Sequence, residues 1–314
     1  MKQILTFAAA FLLAFTARAE IHGTWTAMRN LDAGRIQLNL DRPHDHFGSS
    51  FDISAFSGLS PDVIATQGDA KFELRREAGV IAFEGSFLHG DGAGHFVFTP
   101  SADYASMLRS MRVRSEDAID DDKLLSLTLH DVSGDFIRAM RSVGYDEPLE
   151  HYETMRIFKV TPELVTELRS LGFSNLSFDD LIASRIHKVT PDYIRAMRAA
   201  GYGNLSMDDL VATRIHKATP EFIQQMTALG YSHLSHDNLI AFRIHGVSPE
   251  FISALHELGY NNVAADDLVA MRIHRVTPEY IRDVEKAGYQ HVPVEKLIEM
   301  RIHGIDSRML GIAT

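Results

Sequence analysis

The chain has no cysteine, so it has no disulfide, no thiolate metal ligand and no cysteine nucleophile. Its stability has to come from burial and packing. Positive charge is also in deficit: 31 Lys and Arg against 42 Asp and Glu, a formal charge of −11. That deficit removes the electrostatic basis for general nucleic-acid binding and for adhesion to anionic membranes. Long apolar runs are missing except at Ile4 to Ala17, which follows the basic start Met1-Lys2 and precedes Ala17-Arg18-Ala19. The run is too short to span a bilayer comfortably and reads as a signal peptide over residues 1–19, cut after Ala19. The expected mature protein is periplasmic or secreted, with no stable membrane insertion. Loss of Lys2 and Arg18 takes its charge from −11 to −13. Apolar residues make up 45% of the chain, enough for a packed core.

Residues 20–100 alternate with a period of two: Ile36, Leu38 and Leu40, then Phe51 and Ile53, Phe72 and Leu74, Ile81, Phe83 and Phe87, and Phe96 and Phe98. This predicts an antiparallel meander of five or six strands, with the one Trp, Trp25, in its core. Ser60-Pro61-Asp62 predicts a short helical turn. His44-Asp45-His46 and His89, Asp91 and His95 invite a metal reading. A metal site needs three or four ligands converging on one point, and such spacings on loops favour exposed histidines instead. No metal or cofactor is expected. Gly90, Gly92 and Gly94 join two strands, whereas a phosphate cradle opens onto a helix.

From residue 160 to 305 a 29-residue unit repeats five times. Pro162, Pro191, Pro220, Pro249 and Pro278 open it, Gly172, Gly201, Gly230, Gly259 and Gly288 divide it, and Arg-Ile-His closes it. Such a period signals a stacked array. In one copy Thr190 caps, Pro191 occupies the first helical position, and Tyr193, Ile194 and Met197 form the buried face. Gly201 ends this helix, and Tyr202 folds back on it. Ser206 with Asp209 opens a second helix, whose expected inward residues are Leu210, Val211 and Ile215. The fold class is therefore α+β, a β-meander domain followed by an α-solenoid. Residues 101–159 read as degenerate capping repeats with an acidic insertion, and residues 306–314 as a closing cap or tail.

The repeated Arg185/His187, Arg214/His216, Arg243/His245, Arg272/His274 and Arg301/His303 read as structural. Each Arg is expected to pair with an acid at a neighbouring helix start (Asp179, Asp208, Asp237 or Asp266), and each His to cap helix-end carbonyls. Equivalent positions on stacked helices lie roughly 8–10 Å apart, too far to share one ion. Recognition is assigned to positions that vary: Ser174, Ser232, Asn261 and Gln290 in inter-helix loops, and Arg195, Gln224, Ser253 and Arg282 on the first helix.

The unit Thr/Ser-Pro-Asp/Glu-Phe/Tyr-Ile, Leu-Gly-Tyr and Asp-Leu-Val-Ala-x-Arg-Ile-His, together with the run Phe72 to Gly79 through Phe83-Glu84-Gly85, resembles exported bacterial repeat regions. Some of these accompany the membrane zinc peptidases of the beta-lactam-sensor (antirepressor) type. The resemblance covers residues ~22–305. It does not carry the peptidase, whose His-Glu-x-x-His is absent; the nearest string, His256-Glu257-Leu258-Gly259-Tyr260, has Tyr in place of the second ligand. It implies a sensor or accessory domain without catalytic machinery. The leading expectation is thus a non-enzymatic exported protein that binds a protein, peptide or envelope component through its solenoid surface. The alternative is a metal-dependent hydrolase around His44, His46, His89 and His95.

Overall fold

A computed structural model describes residues 20–29, 34–43, 45–306, 309 and 311. Residues 1–19, expected to form the signal peptide, His44 and most of the C-terminal tail lie outside the described residues. The chain divides into two compact units, Met1–Ile157 and Phe158–Thr314.

In the first unit, strands β1 (Ile21–Arg29), β2 (Arg35–Arg42), β3 (Asp45–Asp52), β4 (Phe56–Ser57), β5 (Gly68–Arg76), β6 (Gly79–Leu88) and β7 (Asp91–Pro100) form one antiparallel sheet. A short helix α1 (Pro61–Ala65), capped by the Ser60 hydroxyl, precedes β5. The order is β3-β2-β1-β7-β6-β5-β4. The expected single meander of five or six strands is therefore corrected to two meanders, joined where the first strand pairs with the last. β1 escaped the sequence reading because Gly23, Trp25 and Ala27 alternate in size rather than as aliphatics. Trp25 is fully buried, with its ring centroid 5.3 Å from Phe72 and 5.6 Å from Phe87. Its indole N–H donates to the Glu84 carbonyl at 3.2 Å. The glycine stretch is mostly strand: only His89 and Gly90 form the β6–β7 turn, both at positive φ, as a two-residue hairpin of primed type requires.

Four helices complete this unit: α2 (Ala102–Ser110), α3 (Asp121–Leu129), α4 (Gly134–Ser142) and α5 (Leu149–Ile157). α3 packs on β6 and β7, and α2 packs on α4. Hydroxyls or carboxylates of Ser101, Asp120 and Ser133 cap the first three.

The second unit is five helical hairpins: α6 (Pro162–Ser170) and α7 (Phe178–Ile186), α8 (Pro191–Ala199) and α9 (Met207–Ile215), α10 (Pro220–Ala228) and α11 (His236–His245), α12 (Pro249–Glu257) and α13 (Ala265–Ile273), α14 (Pro278–Lys286) and α15 (Val294–Ile302). A Thr or Ser hydroxyl caps every first helix, ahead of its proline. Ser177 with Asp180 and Ser206 with Asp209 close reciprocal capping boxes. Helices of nine or ten residues are not stable alone. Here the second helices pack on one another in sequence, α7 to α15, and bury Leu181, Leu210, Leu239, Leu268 and Leu297.

Candidate functional site

Two hydrogen-bond ladders lock successive copies of the array. The first runs forward. The hydroxyls of Tyr202, Tyr231 and Tyr260 donate, each at 2.8 Å, to the carbonyls of Leu234, Val263 and Val292 in the next copy's inter-helix loop. Burial pushes all three phenols above their ordinary pKa, which keeps them protonated as donors.

The second ladder runs backward and corrects the expected Arg–Asp pairing. Arg185 Nε–H donates to the Phe158 carbonyl at 2.8 Å, Arg214 to Lys188 at 3.0 Å, Arg243 to His216 at 3.2 Å, Arg272 to His245 at 3.2 Å and Arg301 to His274 at 3.3 Å. Consecutive second helices run parallel, so an arginine in the last turn meets the C-terminus of its predecessor. Asp179, Asp208, Asp237 and Asp266 stand at the opposite ends. The guanidinium also lies over an aromatic ring of its own copy: Arg214 over Tyr193 at 4.0 Å, Arg243 over Phe222 at 4.7 Å, Arg272 over Phe251 at 5.0 Å and Arg301 over Tyr280 at 4.9 Å. The capping role expected of the histidine side chain falls to its backbone. His187, His216, His274 and His303 occupy the C-cap positions themselves, and the carbonyls of His216, His245 and His274 receive the arginines.

A planar donor stacked on a ring is not replaceable by an ammonium. Arg243→Ala is expected to lower the stability of the array by about 2 kcal/mol, and Arg243→Lys to recover less than half of that. Urea unfolding followed by far-UV circular dichroism measures both.

Of the eight positions assigned to recognition, Arg195, Gln224, Arg282, Ser174, Ser232, Asn261 and Gln290 are exposed, and Ser253 is half-buried. Arg195 is partly engaged by Glu167 at 2.5 Å and Asp192 at 2.6 Å. Gln290 donates to the Glu285 carbonyl at 3.1 Å. Ser232 borders a recess of about 450 Å³ between two successive inter-helix loops. Tyr202, Leu205, Ile223 and Leu234 supply its apolar lining, and Asn204, His233 and His236 its polar groups. His236 Nδ1 lies 3.7 Å from the carboxylates of Asp209 and Asp237, while its Nε2 is buried without a hydrogen-bond partner. Burial works against ionisation of Asp209, but the Ser206 hydroxyl and N–H, with the His236 charge, hold its carboxyl below the ordinary range. The recess was invisible in the sequence because it arises from the spacing of two loops 29 residues apart.

In the first unit the suspected metal residues that are described, His46, His89, Asp91 and His95, do not gather. His46 Nδ1 is 2.5 Å from Asp41 on the neighbouring strand; His89 is in the hairpin turn, and His95 is exposed within β7. Among the described residues no three His, Asp or Glu side chains converge as metal ligands would. A cluster the sequence reading missed joins α3 to α5. Glu153 receives Lys123 at 3.0 Å, His130 Nδ1 at 3.1 Å and the Ser126 hydroxyl. Serine, histidine and glutamate are the members of a hydrolase triad. In a triad one imidazole nitrogen faces the serine and the other the carboxylate. Here Nδ1 alone faces both, with Ser126 Oγ at 3.5 Å, so this cluster is a buried ion-pair network rather than a charge-assisted nucleophile. The chain matches no protein-family model and no curated protein, so the reading of its function stands on this geometry.

Proposed function

We propose that the protein is exported by its N-terminal segment and acts without catalysis, as a binding or sensor-accessory protein that recognises a protein, peptide or envelope component on its helical array. The observation that carries the reading is the Ser232–His236 recess. It has the apolar floor and few polar groups typical of a side-chain pocket, and a buried imidazole nitrogen left without a partner is a group that a ligand's donor or acceptor would satisfy. The exposed Arg195, Gln224 and Asn261 differ from copy to copy, so they give each stretch of the array its own polar character while the ladders hold the frame constant.

A photo-crosslinking residue at Ser232, introduced into the protein in its own cellular envelope, tests this. One species should be captured repeatedly, and His236→Phe, which fills the recess and removes the nitrogen, should reduce capture at least tenfold without changing the melting curve. Failure to capture a reproducible species from Ser232, Asn261 and Arg195 alike would refute the reading.

A further inference from the structure

One fixed residue of the repeat is left unexplained by either ladder. The isoleucine of Arg-Ile-His points outward: Ile186, Ile215, Ile244, Ile273 and Ile302 are 51–58% exposed. Large aliphatics scattered singly on a surface need no explanation. Five at equivalent places on adjacent parallel helices form a column. Four residues earlier, Ile182 is buried and Val211, Ile240, Val269 and Ile298 are half-buried on the same side of their helices, so the column continues as a ridged apolar face across the second-helix layer.

The charges at the two edges of this face are ordered. The exposed acids Asp179, Asp208, Asp237, Asp266 and Glu295 occupy the first turns, seven residues before each isoleucine and thus on its side of the helix. Beyond the last turns stand the exposed cations Lys188, Lys217 and Arg275. One edge is a row of carboxylates and the other a row of cations, with aliphatics between.

Such a face is complementary to itself. A two-fold axis running parallel to the column, midway between the acidic and basic edges, turns one copy over onto another, lays each exposed isoleucine against the aliphatic four residues earlier in the second copy, and brings each acidic edge against a basic edge. In register, Asp179 would face Lys188 of the second copy, Asp208 would face Lys217, and Asp266 would face Arg275; symmetry repeats the set at the other edge. Nine-residue helices of about 13.5 Å, spaced ~9 Å apart, make the layer about 600 Å² in plan, and its ridges bring that close to the ~800 Å² each partner gives to a standard interface. We infer that the second-helix face docks a second copy of this chain as a two-fold dimer. The recess at Ser232 and His236 lies at the start of α11, at the opposite end from Ile244, and Arg195, Gln224 and Arg282 belong to the first helices, so this inference goes beyond the proposed recognition role and can fail without it.

Sedimentation equilibrium of the purified protein tests the inference. It should be dimeric, and Ile215→Ser with Ile244→Ser should raise the dimer dissociation constant at least tenfold while circular dichroism and melting stay unchanged, because both side chains are already mostly in water. Reversing one edge, Asp179→Lys with Asp208→Lys, should dissociate the dimer. Adding Lys188→Glu and Lys217→Glu to the same chain should restore it, a rescue that a general loss of stability would not show. A protein that stays monomeric at concentrations up to about 100 µM, well above those at which an interface of standard size assembles, overturns the inference. So does a dimer indifferent to both sets of changes.

Discussion

Glu153→Gln should destabilise the first unit by about 3 kcal/mol, the lower end of what breaking a buried ion pair costs. Lys123 Nζ lies 3.0 Å from Glu153 and 3.4 Å from Glu150, and both carboxylates and the ammonium are largely withdrawn from water. Removing the Glu153 charge leaves Lys123 with Glu150 alone. Glu150 is held in place by the Ser115 hydroxyl at 2.8 Å and the Glu116 N–H at 3.1 Å and still neutralises Lys123, which is why the loss falls at the lower end of the range rather than higher. Ser126 and His130 lose their common charged acceptor in the same step. Trp25 is the one tryptophan of the chain and lies in this unit, so its fluorescence in urea reads the transition directly.

The same residue sets an acid limit. Burial would raise the Glu153 carboxyl, but hydrogen bonds from His130, Ser126 and Lys123, with the Lys123 charge, overcome it and hold the pKa at about 2, against 4.5 for an ordinary glutamate. A depressed carboxyl stabilises the fold above its unfolded pKa and ceases to do so as pH falls through its folded pKa. The contribution is therefore complete above about pH 4.5 and gone near pH 2, and a shift of this size corresponds to roughly 3 kcal/mol. Glu150 is held below its ordinary range as well and adds to the loss: burial opposes this, but the Glu116 N–H, the Ser115 hydroxyl and Lys123 prevail. The urea midpoint of the wild type should fall steeply between pH 4.5 and 2, and Glu153→Gln should flatten much of that fall.

Local signals made the array legible. The prolines after Thr or Ser and the glycines before aromatics each act within one turn of helix, and the period of 29 repeats them. The direction of side chains at the end of the second helix was not legible, because hydrophobicity there misleads. The Ile215 assigned inward is more than half exposed, whereas Thr213 is fully buried. Thr213 stands three residues after the buried Leu210, on the same side of the helix, and resolves its polarity by donating to the Leu210 carbonyl and accepting from the Tyr193 hydroxyl. Ile215 is two residues further on and so faces away. The arginine ladder was hidden for a different reason: its acceptor is a backbone carbonyl, which every residue has. The Glu153 network was hidden because its members lie 23 to 30 residues apart on the degenerate repeats of residues 101–159, at positions that the fixed residues of the repeat do not mark. The assignment of recognition to the varying residues passed over the fixed isoleucines, which lie more than half exposed.

Two glycine substitutions in the sheet should differ widely. Gly94→Ala is expected to cost about 3 kcal/mol or more, while Gly68→Ala should stay within about 0.5 kcal/mol. Both glycines lie in strands, and neither has a left-handed φ, so backbone preference does not separate them. Space does. A Cβ on Gly68 would meet nothing within 4 Å, whereas one on Gly94 would strike the Glu84 carbonyl and the Cα of Gly85, its partner across β6 and β7. Neither obstacle is a side-chain tip that can swing aside; both are backbone atoms of the sheet itself. Moving them would also disturb Trp25, because its indole N–H holds that same Glu84 carbonyl and its ring packs beside Gly85 and Gly92. The clash therefore propagates from one hairpin to the aromatic centre formed by Trp25, Phe72, Phe83 and Phe87. Tryptophan fluorescence during urea unfolding should show an early transition for Gly94→Ala and an unshifted one for Gly68→Ala. Equal midpoints for the two variants would mean that β6 and β7 do not approach each other as closely as their paired glycines allow.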